Sequence, residues 1–206
     1  MKREDADQRI AALDARLAKV ELAYFKWNQD LEMQRKQLLE GDMDWWKASE
    51  VVHQRRVRTV QEGKSPVDFN DLKSLLTEIC SVYLRAREEA REAIRAMFDD
   101  KPSLLAYLHS YIAHTTQRLA ETKDQEWLRL GLAAASICDR RVDWRDLMIC
   151  LGGLYMTAKE TGLRPGYQFS AVARISNPSR KYKESSTREL LVNFRKSAYL
   201  RTLQHE

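Results

Sequence analysis

Residues 10–38 read IAALDARLAKVELAYFKWNQDLEMQRKQL, and the spacing of their apolar positions decides the fold class. Ile10, Leu13, Leu17, Val20, Tyr24, Trp27, Leu31 and Leu38 follow one another at three- and four-residue steps, with only Gln34 breaking the series. An α-helix turns once in about 3.6 residues, so side chains at these steps lie along one side of it. The same spacing is the heptad of a coiled coil. With Ile10 at position a, the g residues Arg9, Arg16 and Asp30 would face Asp14, Glu21 and Arg35 at e of a parallel partner, opposite in sign each time. Ile10, Leu13, Leu17, Val20, Tyr24, Trp27 and Leu31 are therefore the candidate interaction seam. Tyr24 and Trp27 are bulky for a two-stranded seam, so a second copy and another helix of the same chain both stand as ways of covering it.

Moving outward, Gly41-Asp42 supplies a permissive backbone site and a capping carboxylate where this helix ends, and 45–61 read as a second helix. Gly63-Lys64-Ser65-Pro66 is a linker, since proline disfavours helix at the residue before it, and Asn70 is placed to cap a third helix. Leu72, Leu76, Ile79, Tyr83, Ala86, Ala90, Ala93 and Met97 give that helix one continuous seam. After Asp99–Ser103 the pattern changes to shorter, more apolar helices, built on Leu104–Leu119, Trp127–Cys138 and Leu147–Ala158. A further helix carries Tyr167, Phe169, Val172 and Ile175, and a terminal one runs roughly from Thr187 to Leu203.

The expected fold is all-α: long heptad-patterned N-terminal helices over 1–101, forming a helical hairpin or coiled coil, then a compact helical bundle or repeat-like unit over 102–176, then a basic tail over 177–206. Composition agrees. Of 206 residues 44% are apolar and 32% charged, with 7 Gly and 4 Pro, which excludes disordered, collagenous and disulfide-rich classes. Cys80, Cys138 and Cys150 are odd in number and lack metal-ligand spacing, so a reducing compartment is expected. Met1–Asp7 is mostly charged, and the longest apolar stretch, Leu147–Ala158, is too short for a bilayer, so the expectation is a cytoplasmic protein with no transmembrane segment.

The net charge of +5 is uneven: residues 1–162 are close to balance, whereas 163–206 hold 9 basic and 3 acidic side chains. Arg180, Lys181, Lys183, Arg188, Arg195 and Lys196 are the candidate phosphate-binding residues, with Arg164, Arg174 and Arg201 nearby and Tyr167, Tyr182 and Tyr199 able to stack on bases.

Motifs for catalysis are thin. Gln61-Glu62-Gly63-Lys64-Ser65 has the end of a phosphate loop, but Arg58 stands where the pattern requires Gly. His109 and His114 are about 140° apart on a helix and share no metal-binding face. The cluster Asp139-Arg140-Arg141-Val142-Asp143-Trp144-Arg145-Asp146 is explained by helix ends: Asp143 caps the following helix, and Arg140 and Arg141 suit the negative end of the preceding one. Its second reading is a recognition corner of Arg140, Arg141, Asp143, Trp144 and Arg145, and its third an acid–base carboxylate site.

Trp127-Leu128-Arg129-Leu130-Gly131 resembles the opening of a tetratricopeptide repeat, but Ala134 and Asp143 stand where that family favours Tyr and Ala, and no second copy follows. Gly131, Ala133, Ala134, Ala135, Gly152 and Gly153 suit closely packed helices. The expected function is a non-enzymatic helical protein–protein interaction module or adaptor, self-associating and acting without metal or cofactor. The alternatives are nucleic-acid binding through the basic segment and an enzyme using the Asp139–Asp146 cluster.

Overall fold

The computed structural model describes residues 3–139 and 141–163, apart from the side chains of 3–6 and 144. Among them are seven α-helices and no strand: α1 (Arg3–Glu40), α2 (Trp45–Gln61), α3 (Phe69–Arg85), α4 (Glu88–Ala96), α5 (Pro102–Thr122), α6 (Gln125–Cys138) and α7 (Trp144–Glu160). The expected helix around 167–175 and the terminal one lie outside the described residues. The chain forms two compact units, residues up to Leu75 and residues from Leu76 onward, and the division falls inside α3.

In the first unit α1 packs against α2. The turn between them differs in detail from the expected one. Asp42, not Gly41, takes the left-handed conformation, with φ of 62°. Asp44, not Asp42, is the cap, its carboxylate accepting from the Lys47 backbone N–H at 3.0 Å. That bond favours the ionised form and holds the Asp44 carboxyl below its usual range. A similar shift occurs at α3, where the carboxylate of Asp68, not the side chain of Asn70, accepts from the N–H groups of Asn70 and Asp71 at 2.8 and 3.3 Å. The buried apolar residues of this unit are Leu13, Leu17, Trp27, Leu31, Ala48, Val67, Leu72 and Leu75.

The expected third helix is two helices. After Arg85 the Ala86 N–H bonds back to the Tyr83 carbonyl at 3.3 Å, and Arg87 adopts an extended conformation before α4 begins. The Arg91 side chain bonds the same Tyr83 carbonyl at 3.2 Å. Arg91 and Arg95 both lie over the Tyr83 ring, at 5.4 and 5.3 Å, and Arg95 also donates to its hydroxyl. Residues 83–93 contain no Gly or Pro to mark a break, so side-chain contacts around Tyr83 accompany one that local propensity does not encode. The break also shifts the buried face: Ala93 is exposed while Ile94 and Phe98 are buried, and Met97 is buried as the seam expects.

The second unit is organised around α6, which packs on α4, α5 and α7 and is buried almost all round, at Leu128 and from Leu130 to Cys138. Gly131 is the closest-packed point. A Cβ built there would stand 2.6 Å from Thr115 Oγ1 on α5 and 2.7 Å from Leu154 Cδ2 on α7. Gly152 and Gly153 make no such contact, since a Cβ at either would meet nothing within 4 Å. Of the small residues expected to permit close packing, Gly131, Ala133, Ala134 and Ala135 are buried, whereas the two glycines of α7 are not.

Candidate functional site

Four residues of the seam, Leu13, Leu17, Trp27 and Leu31, are buried by the chain itself, at 2%, 0%, 8% and 8% exposure. Ile10, Val20 and Tyr24 are half-buried. The bulk of Tyr24 and Trp27, awkward in a two-stranded seam, is taken up by α2. The two rings meet edge to face with centroids 6.1 Å apart, and the Arg56 guanidinium lies 5.5 Å from one and 5.2 Å from the other. Arg56 also donates to the Tyr24 hydroxyl, and Arg55 donates to Gln34 at 3.2 Å. Gln34, the one polar interruption of the seam, thus serves as an acceptor for α2. Nearby, Asn28, Glu32, Arg35, Ser49, His53 and Arg56 line most of a 220 Å³ groove between the helices. Its two arginines are already engaged, Arg35 by Glu32 and the Trp45 ring and Arg56 by Tyr24 and Trp27.

The opposite side of α1 is bare. Leu22, Phe25 and Met33 are 54%, 54% and 57% exposed, and Ala11, Ala15 and Ala18 continue their line toward the N-terminus. At about 100° per residue this line lies roughly opposite the buried seam. It escaped the sequence reading because the bulkier seam dominated the pattern, although its spacing is written in the same residues. Two tryptophans add to the exposed apolar surface of this unit: Trp45 at 49% and Trp46 at 78%, stacked edge to face with centroids 4.8 Å apart.

The proposed recognition corner is only partly within reach of description. Arg140 and the Trp144 side chain lie outside the described residues, and Arg145 is exposed. Asp143 caps α7 by accepting from the Arg145 N–H at 2.7 Å. Arg141 donates to Asp99 at 2.6 Å, tying the α6–α7 turn to the end of α4. These two residues have structural partners that account for them. Arg180, Lys181, Lys183, Arg188, Arg195 and Lys196 lie outside the described residues.

One nucleophile–base juxtaposition that no sequence pattern signalled appears between helices: Cys150 Sγ on α7 is 3.4 Å from His109 Nε2 on α5. An activated thiol needs its anion stabilised. Here burial, and after it the nearby Asp146 carboxylate, push the thiol up instead. Cys80 and Cys138 are buried and pushed up further by desolvation. His114 packs between the Tyr111 and Trp127 rings at 5.7 and 5.8 Å. Among the described residues no group of three or more His, Cys, Asp or Glu side chains is arranged to hold a metal ion, and no helix is long and apolar enough to cross a membrane. Gly63, with φ of 65°, sits in the α2–α3 connection, after a helix and not after the strand a phosphate loop requires.

Compared with family models, with curated proteins and with solved structures, the chain matches none.

Proposed function

We propose that the chain is a non-enzymatic helical interaction module that self-associates, working in a reducing, cytoplasmic setting. What carries the reading is the uneven placement of exposed apolar side chains. Among large apolar side chains, Leu22, Phe25, Met33, Trp45, Trp46, Val57 and Val60 are exposed in the first unit, against Ile149 alone among the described residues of the second. The described residues of the second unit cover nearly all of their large apolar side chains around a closely packed centre. The first presents apolar side chains in a line on a long helix, the kind of surface another helix covers.

Sedimentation velocity of the full chain across micromolar concentrations, with and without nuclease, tests the assignment. The expected species has twice the 24.1 kDa chain mass and survives nuclease. A chain that stays monomeric and instead binds a labelled oligonucleotide transfers the assignment to nucleic acid, for which the basic excess after residue 163 is the supporting observation.

A further inference from the structure

The groove between α1 and α2 is walled by two polar rows with the same helical spacing, Asn28, Glu32 and Arg35 on α1 and Ser49, His53 and Arg56 on α2. Leu31 and Val52 give it an apolar lining between them. Arg35 lies over Trp45 at the start of α2, and Arg56 lies over Tyr24 and Trp27. The two helices therefore run in opposite directions, and the two guanidinium groups stand toward opposite ends of the groove. We propose that this groove binds a small molecule through a phosphate group, held at one end by Arg56, His53 and Asn28. The inference does not depend on self-association.

Charge is the first support. Glu32, the acidic residue of the lining, is paired with Arg35, so the charges at that end offset each other. Arg56 forms no ion pair among the described residues: its partners are the Tyr24 hydroxyl and the Tyr24 and Trp27 rings, none of them anionic. A guanidinium has several N–H donors in a fixed fork, and the bond to Tyr24 uses only one. The rings hold the fork in place, which leaves ordered donors and an unneutralised charge beside the groove, the combination that recognises a phosphate.

Unmet polar groups are the second. Asn28 is half-buried and His53 exposed, and neither side chain is engaged in a hydrogen bond among the described residues. Donors drawn from both walls suit the terminal oxygens of a phosphate group, which point to several sides, better than the planar pair of a carboxylate. Ser49 Oγ is closed off from solvent and has no hydrogen-bond partner among the described residues. A hydroxyl left so is costly, and rotation about χ1 toward an acceptor in the groove relieves it. The 220 Å³ of the groove is many times the ~30 Å³ of a single water, which leaves room for the rest of a small phosphate ester.

The test titrates the full, isotope-labelled chain with glycerol phosphate, inorganic phosphate and succinate, and follows its amide resonances. Glycerol phosphate should shift those of Asn28, His53 and Arg56 to saturation. Asn28→Asp and His53→Glu leave the contacts of Arg56 with Tyr24 and Trp27 in place, so each should weaken binding at least tenfold with the thermal midpoint at the parent value. The chain with Arg180, Lys181 and Lys183 replaced together by alanine should bind as the parent does. Inorganic phosphate should shift the same resonances: affinity equal to that of the ester identifies the free ion as the occupant, and weaker affinity identifies an ester. Binding unchanged by Asn28→Asp and His53→Glu, or shifts confined to residues after Leu163, would overturn the site and move the phosphate to the basic segment. Succinate bound as tightly as the ester overturns the phosphate assignment, and the absence of any saturable shift at millimolar ester overturns the proposal outright.

Discussion

Replacing Gly131 by alanine is the sharpest available test of the second unit, because two effects of known sign oppose each other there. Alanine is the better helix former by about 1 kcal/mol, so at an open helical site the change should stabilise. At Gly131 the new methyl would stand 2.6 Å from Thr115 Oγ1 and 2.7 Å from Leu154 Cδ2, where unstrained carbon contacts are about 3.5–4.0 Å. Neither neighbour can yield cheaply. Thr115 is fully buried, stiff at χ1, and bonded through its hydroxyl to the Ile112 carbonyl at 2.7 Å, while Leu154 is fully buried on α7. Overpacking of this kind costs about 1–3 kcal/mol. Helix propensity offsets about 1 kcal/mol of it, leaving a net loss of up to about 2 kcal/mol, or a midpoint up to about 8 °C lower for a chain of this size. Gly152→Ala is the internal control: a Cβ there meets nothing within 4 Å, so that variant should melt at or above the parent. Differential scanning calorimetry reads both. If Gly131→Ala melts as high as Gly152→Ala, the junction of α5, α6 and α7 is looser than described and the reasoning fails.

Leu17→Ala should lower stability by about 2–5 kcal/mol in urea unfolding, since Leu17 has no exposed surface, and a variant that lost only association while keeping the parent midpoint would place the residue in an interface between copies. Thiol labelling of the native chain at pH 8 should modify Cys150 slowly, faster as pH rises because burial and Asp146 push its thiol up, while Cys80 and Cys138 react only after unfolding; a rapidly modified thiol at pH 7 would contradict that environment. For the nucleic-acid alternative, joint replacement of Arg180, Lys181 and Lys183 by alanine should reduce the salt slope of oligonucleotide binding measured by fluorescence anisotropy, and an unchanged slope would remove those residues from it.

The repeating apolar spacing determined by itself that this chain is helical and where most helices lie, because periodicity is a local property: Leu104–Leu119, Trp127–Cys138 and Leu147–Ala158 all fall within observed helices. Helix-end chemistry was legible to within a residue or two. Asp143 caps as its position implies, whereas Asp44 and Asp68 cap in place of Asp42 and Asn70, since several short polar side chains cluster at each turn and only the realised backbone path selects one. Tertiary structure alone decided the break after Arg85, where Arg91 and Arg95 gather on Tyr83 within a run of residues that otherwise favour helix. It also decided which glycine matters, for Gly131 and Gly152 are alike in sequence and differ only in what faces them. The same holds for the candidate surface. Both lines of α1 are written at heptad-like spacing, and the sequence cannot rank them, because burial depends on where α2 and the rest of the first unit fold back. Once Tyr24 and Trp27 are held by Arg56, the seam that looked like the interface is largely interior, and the line through Leu22 and Phe25 is the one left facing out.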